Sequence, residues 1–207
     1  MRPLPPHGLA TFSEIEMADR FVPSPELREW ITGTFLKDDS PLFNVDHAHL
    51  QDADIGVLWT NCDNSRNMRS VIGQAELMPP MAMGKWQRAR ACQQIEEWFG
   101  DMPDFLITFS APAAHGMDDA SFCALVEHEL YHCAQKMDQY GMPKFKEDGT
   151  PSFAIRGHDV EEFVGVVARY GAIDPGVAAI FEVAGRKPMI CAASIAGACG
   201  TCLRTAA

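Results

Sequence analysis

The chain has 207 residues, enough to bury a sizeable core without disulfide staples. Hydrophobic residues make up 47% and charged residues 22%, which excludes a disordered chain, a collagen and a simple coiled coil. Lys and Arg number 17 against 28 Asp and Glu, a formal net charge of −11. That balance argues against nucleic acid as a partner, because non-specific binding needs clustered cations to displace counterions. No run reaches the roughly 18 apolar residues of a membrane span. Prolines stand where a signal peptide would carry its apolar stretch, so a cytoplasmic protein is expected. The 7 cysteines, at 62, 92, 123, 133, 191, 199 and 202, read as small buried hydrophobes of a reducing compartment.

Residues 1–23, with Pro3, Pro5, Pro6 and Pro23, read as an irregular lead-in. Ser24-Pro25-Glu26 then supplies an N-cap, an N1 proline and a first-turn acid. Leu27, Trp30, Ile31 and Phe35 follow at helical spacing, predicting a helix over 25–36. Strands are expected over 54–60 and 70–77, separated by the turn residues from Asn61 to Ser65. Residues 84–99 form an amphipathic helix stopped by Gly100, and Phe105–Phe109 a short strand. The next helix begins near Asp118 or Asp119 and runs to about Met137, with Phe122, Leu125, Val126, Cys133 and Met137 as its apolar stripe. After a loop over 141–153, residues 158–169 predict another helix, and Asp174-Pro175-Gly176 starts a further short one. Residues 184–207 are rich in Ala, Gly, Ser and Cys and read as a tail. The order of elements is that of an α+β fold.

The sharpest local pattern is His128-Glu129-Leu130-Tyr131-His132. At 100° per residue, positions four apart lie about 40° apart on one helix face, so the two imidazoles can meet one ion. Glu129 stands one step round the helix, where a zinc protease keeps the base that deprotonates metal-bound water. The pattern also fits two solvent-facing histidines on an ordinary surface helix. A catalytic zinc needs a third protein ligand and an open position. His158 is the first candidate, with Glu161 and Glu162 as alternatives on the same helix face. Asp159 could orient a ligating imidazole or simply cap the helix. Arg156, Tyr140 and Tyr170 are candidates for an oxyanion donor. His47 and His49 follow Asp46 before a strand, where alternate residues share a face; they read as surface histidines or a second metal site. His115 reads as a loop residue. Cys199-Gly200-Thr201-Cys202 is half a zinc knuckle without its second pair, or small residues packing a turn.

Four segments together carry a resemblance. They are Glu127-His-Glu-Leu-Tyr-His-Cys133, Gly141-Met-Pro-Lys-Phe145, Ile155-Arg-Gly-His-Asp-Val-Glu-Glu-Phe163, and Arg169-Tyr-Gly171. This stretch resembles the phage metallopeptidase family, a zincin group found in phages and prophages and loosely similar to SprT-like proteins. The resemblance implies a compact zincin-like α+β domain over 24–183, its small mixed or antiparallel sheet packed on the motif helix. It implies His128, His132 and His158 as zinc ligands and Glu129 as the general base; the resemblance does not supply a substrate, and a protein or peptide substrate is what the peptidase reading expects. SprT-like proteins often add a C-terminal zinc-binding cysteine module, of which this chain has only the one C-x-x-C. Phe105–Phe109 or residues 70–77 would be the edge strand that receives an extended peptide. The segment 141–155, with Lys144, Lys146 and the adjoining Arg156, would form a cleft wall. The reading is thus a zinc metallopeptidase; the alternative is a phage-derived binding or assembly protein with a structural, non-catalytic zinc site.

Overall fold

The structure is a computed structural model and describes residues 1–11, 18–66, 69–81, 84–160, 164–172, 175–190 and 198–199. Its centre is a pair of parallel strands, β2 (Ile55–Thr60) and β5 (Phe105–Ser110). Every residue of β2 is buried, as a strand covered on both faces requires. Alternation along the strands divides the core into two layers. Val57, Trp59, Phe105, Ile107 and Phe109 belong to the larger cluster, which includes Phe122, Leu125, Val126 and Leu130. Leu58 and Leu106 face the other way, towards Met78 and Ile95, with Trp98 and Phe99 packed alongside. Ile95, Trp98 and Phe99 come from α3 (Lys85–Phe99), which therefore covers the back of the sheet.

The sheet runs β1-β2-β5-β4-β3, where β1 is Phe21–Pro23, β3 Ser65–Arg66 and β4 Arg69–Leu77. β4 lies antiparallel to β5, with Gly73 opposite Phe109 and Leu77 opposite Phe105. A last strand, β8 (Ala198–Cys199), pairs with β4 in parallel. The fold is α+β with a small mixed sheet, as the order of elements predicts.

The helices form where the sequence marks their ends. Ser24 caps α2 (Pro25–Ile31) by accepting the Leu27 N–H at 3.3 Å, and a wider turn over Thr32–Leu36 extends it to the expected length. Two short helices, α1 (His7–Ala10) and α4 (Ala111–His115), precede α5 (Asp119–His132). Asp118 caps α5, its carboxylate accepting the Ser121 N–H at 2.8 Å and hydroxyl at 3.0 Å. These bonds hold the Asp118 carboxyl below its usual range.

Four expectations need correction. The motif helix stops at His132, five residues short of Met137. Cys133 turns extended and starts β6 (Cys133–Gln135), which pairs with β7 (Phe153–Ile155). The tertiary pairing outweighs an apolar stripe that is only nominally helical. The helix expected from 158 is α6 (Val164–Tyr170); residues 158–160 are not helical, and 161–163 lie outside the described residues. His47 and His49 sit in a 3-10 helix, Val45–Asp52, rather than ahead of one strand face. Among its described residues, 1–11 and 18–23, the N-terminal lead-in holds a short helix and β1. Pro5 and Pro6 precede the first turn of α1, a position where proline is tolerated, and Leu9 is buried. Arg2 is buried as well, donating to Asp119 Oδ1 at 2.8 Å and to the Ala114 carbonyl at 3.1 Å. The short helix near 175 is α7 (Pro175–Ala184). Of the expected tail, 191–197 and 200–207 lie outside the described residues.

Candidate metal centre

The centre is built on the last turn of α5. Phe122, Leu125, Val126 and Leu130 hold one face of this helix in the core. That anchorage fixes the rotation of the helix, and with it the directions of residues 128, 129 and 132. The second contribution comes from the chain leaving β7. The Arg156 N–H donates to the His132 carbonyl at 2.9 Å, extending the β6–β7 ladder. Two residues later His158 lies over the helix end.

The imidazoles of His128, His132 and His158 converge. Their ring centroids are 5.0, 5.1 and 5.3 Å apart, and a donor atom from each lies within 4.8 Å of the other two. The Nε2 atoms of His128 and His158 are 3.3 Å apart. Two nitrogens bound tetrahedrally at 2.0–2.1 Å to one zinc ion would be separated by about 3.3 Å, so the donor spacing fits. Exposure rises across the three: His132 is buried, His128 half-buried and His158 exposed. Among the described residues this is the one group of three or more His, Cys, Asp and Glu side chains with metal-ligand spacing.

The electrostatics favour the neutral rings that coordination needs. Burial, and then the neighbouring His132 and His158, pull His128 down to about 4. Burial also lowers His132, opposed by the hydrogen bond to the Arg156 carbonyl. That bond, from Nδ1 at 2.7 Å, fixes the tautomer and makes Nε2 the His132 atom suited to ligate a metal. It is the outer-sphere contact that orients a ligating histidine.

Glu129 is fully buried and packs against β4. A Cβ on Gly73 would lie 2.6 Å from Glu129 Oε1. Only a glycine lets the strand approach the carboxylate this closely. A lone glycine within a strand pattern is the available signal for such a contact, and the motif-centred reading overlooked it. It also overlooked the Arg156 carbonyl, since a backbone acceptor leaves no mark in residue identity.

The remaining candidates fall elsewhere. Asp159 pairs with the Arg156 guanidinium, not with an imidazole in any described hydrogen bond. Glu161, Glu162 and Cys202 lie outside the described residues, and of Cys199 only the backbone is described. Tyr140 is exposed on the arm between β6 and β7, and Tyr170 is exposed at the end of α6, beneath the Arg169 guanidinium. His115 ends α4. His49 Nε2 meets the Cys133 carbonyl at 2.8 Å. His47 is buried with its ring 4.5 Å from that of Tyr131, and its Nε2 is 3.8 Å from Glu127 Oε1. Neither His47 nor His49 joins a group with ligand spacing among the described residues.

A family model described as "Putative phage metallopeptidase" matches residues 28–184. The chain belongs to this phage metallopeptidase family. The match spans every described residue of the centre and runs from within α2 to the end of α7. No curated protein and no solved structure matches the chain significantly. Membership makes a metal-dependent hydrolase the coarse expectation for this phage metallopeptidase chain. Among its described residues, no helix is long and apolar enough to cross a membrane.

Proposed function

We propose that the chain is a zinc-dependent peptidase that hydrolyses peptide bonds with Glu129 as general base. The observation that carries this reading is the convergence of three imidazole donors on two elements, with the buried Glu129 one residue from the first of them. His128, His132 and His158 would hold the ion. Bound there, zinc would act as a Lewis acid, polarising the scissile carbonyl and acidifying a coordinated water. An all-imidazole set suits zinc and leaves its +2 charge undiminished, which a carboxylate ligand would not. A structural site would be closed by a fourth protein ligand, and the described residues contribute three.

The chain's own residues supply the rest. Glu129 takes a proton from the attacking water and delivers it to the departing amine. Its seat against Gly73 fixes where that proton is held. The Arg156 carbonyl keeps His132 in one tautomer. β4 offers the strand next to Glu129 along which an extended peptide can pair. β5 is paired on both sides, by β2 and β4, and is withdrawn as a candidate for that edge. The arm from 136 to 152 leaves the chain between the second and third histidines. It is folded on itself by the Lys136–Ser152, Lys144–Lys136 and Ser152–Lys144 backbone bonds. It exposes Met137, Tyr140, Met142 and Phe145, and we assign it to a wall that contacts substrate. The protein would act in the cytoplasm, the host's if phage-encoded, on protein or peptide substrates.

The test is Glu129→Gln in zinc-loaded protein with fluorescein-labelled casein as substrate. Hydrolysis should fall by about 10²- to 10⁴-fold with zinc content unaltered. Equal rates for the variant and the parent would remove Glu129 from the mechanism.

A further inference from the structure

The strand that packs on Glu129 is already occupied on its outer side. β4 pairs with β5 through Gly73–Leu77 on its inner side. Its outer side carries the short hairpin partner β3, opposite Arg69 and Ser70, and then β8. In β8, Ala198 stands opposite Val71 and Cys199 opposite Gly73, with an irregularity between the two pairs. Gly73 is also the residue against which the Glu129 carboxylate packs. A segment from near the end of the sequence therefore lies one strand spacing, about 4.8 Å, outside the residue that seats the base.

We propose that Ala198–Cys199 occupies, in the resting chain, the strand edge that an extended peptide substrate would use, making the C-terminal segment an internal competitor for the cleft. This rests on the peptidase reading for the identity of the competing ligand. The geometry itself is independent of it: an extended chain adds to a sheet by engaging the same backbone N–H and C=O groups that β8 engages. The pairing is suited to displacement. Among the described residues it spans two positions, contains an irregularity and is parallel, the less stable arrangement per residue. Short edge pairings of this kind open at far lower cost than core strands.

The experiment uses the full-length chain carrying Ala198→Pro or, separately, Cys199→Pro, since proline cannot donate to a ladder. Two measurements are made. Amide hydrogen exchange over residues 71–73 should speed up in at least one variant. Binding of fluorescein-labelled casein is then followed by anisotropy in a Glu129→Gln background, which removes cleavage from the readout. An edge covered nine-tenths of the time weakens apparent affinity about tenfold, so casein should bind up to about tenfold more tightly once the edge is bare. In the cleaving chain the same substitution should lower KM and leave kcat in place. Unchanged exchange in both variants overturns the pairing. Faster exchange with unchanged casein affinity overturns the competition. If casein binds more tightly yet no preparation cleaves it, the competition stands and the peptidase reading fails.

Discussion

Two histidine clusters flank α5, and they look alike until their lone pairs are traced. His128 and His47 are both desolvated imidazoles held down to about 4, burial being the larger cause in each. Around His128 the donors of two further histidines arrive within ligand distance. Around His47 stand Glu127 Oε1 at 3.8 Å, the edge of the Tyr131 ring, and the charges of His49 and Asp46 on its own turn. Neither His47 ring nitrogen has a hydrogen-bond partner among the described residues. The second cluster is a buttress. Tyr131 donates to Asp46 Oδ2 at 3.0 Å, and Asn44 donates to Glu127 Oε1 at 3.0 Å, tying the 3-10 helix to α5. A depressed pKa therefore marks burial in both places; convergence of donors separates the metal centre from the support.

The glutamates on either side of His128 sharpen this contrast most. Glu129→Gln should cost the 10²- to 10⁴-fold given above, whereas Glu127→Gln, on the buttress side, should leave casein hydrolysis near the parent rate. Comparable losses in both would erase the distinction between the two faces. Next in size, His158→Ala should weaken zinc retention by more than the roughly 10- to 100-fold that losing an outer hydrogen bond to a ligand costs. Dialysis against a graded chelator series would show it, and parental retention would reassign the third ligand. Gly73→Ala tests the seat of the base. The added methyl would stand 2.6 Å from Glu129 Oε1, so the carboxylate must move by about 1 Å, a displacement that can cost up to about 100-fold in turnover. Zinc content should stay at the parental level.

The smallest effect belongs to His47 and concerns stability. Unfolded, its imidazole titrates near 6.5; folded, burial and the neighbouring His49 hold it to about 4, against a smaller opposing pull from Asp46. Between those values the unfolded chain binds a proton that the folded chain refuses. Stability present above pH 6.5 is therefore lost as the pH falls towards 4, by about 3 kcal/mol in full. His47→Leu should flatten that part of the pH–melting curve and leave zinc binding intact. A variant that loses its zinc would move His47 into the centre.

How much of this was legible beforehand follows from what each feature depends on. Helices α2 and α3 and strands β2, β4 and β5 are written in local patterns: Ser24-Pro25 at a cap, Gly100 at a stop, the β-branched and aromatic run Ile55–Thr60. The spacing of His128 and His132 is a helical property and needs no tertiary information. The end of α5 was not legible, because Cys133 leaves the helix to pair with Ile155, 22 positions away. His158 was assigned to a helix face but reaches the centre from an irregular segment positioned by the Arg156–His132 backbone bond. Gly73 shows the same limit: its meaning lies in a side chain 56 residues further along, brought against it by the packing of α5 on β4.

The most direct test is the metal content of the full-length chain, purified without chelator and compared with a His128→Ala/His132→Ala double variant. The account predicts one tightly held zinc ion per parental chain and none in the variant at equal folding. Parental protein that carries no divalent ion and takes up none when zinc is supplied, or a double variant that keeps its zinc, would contradict it.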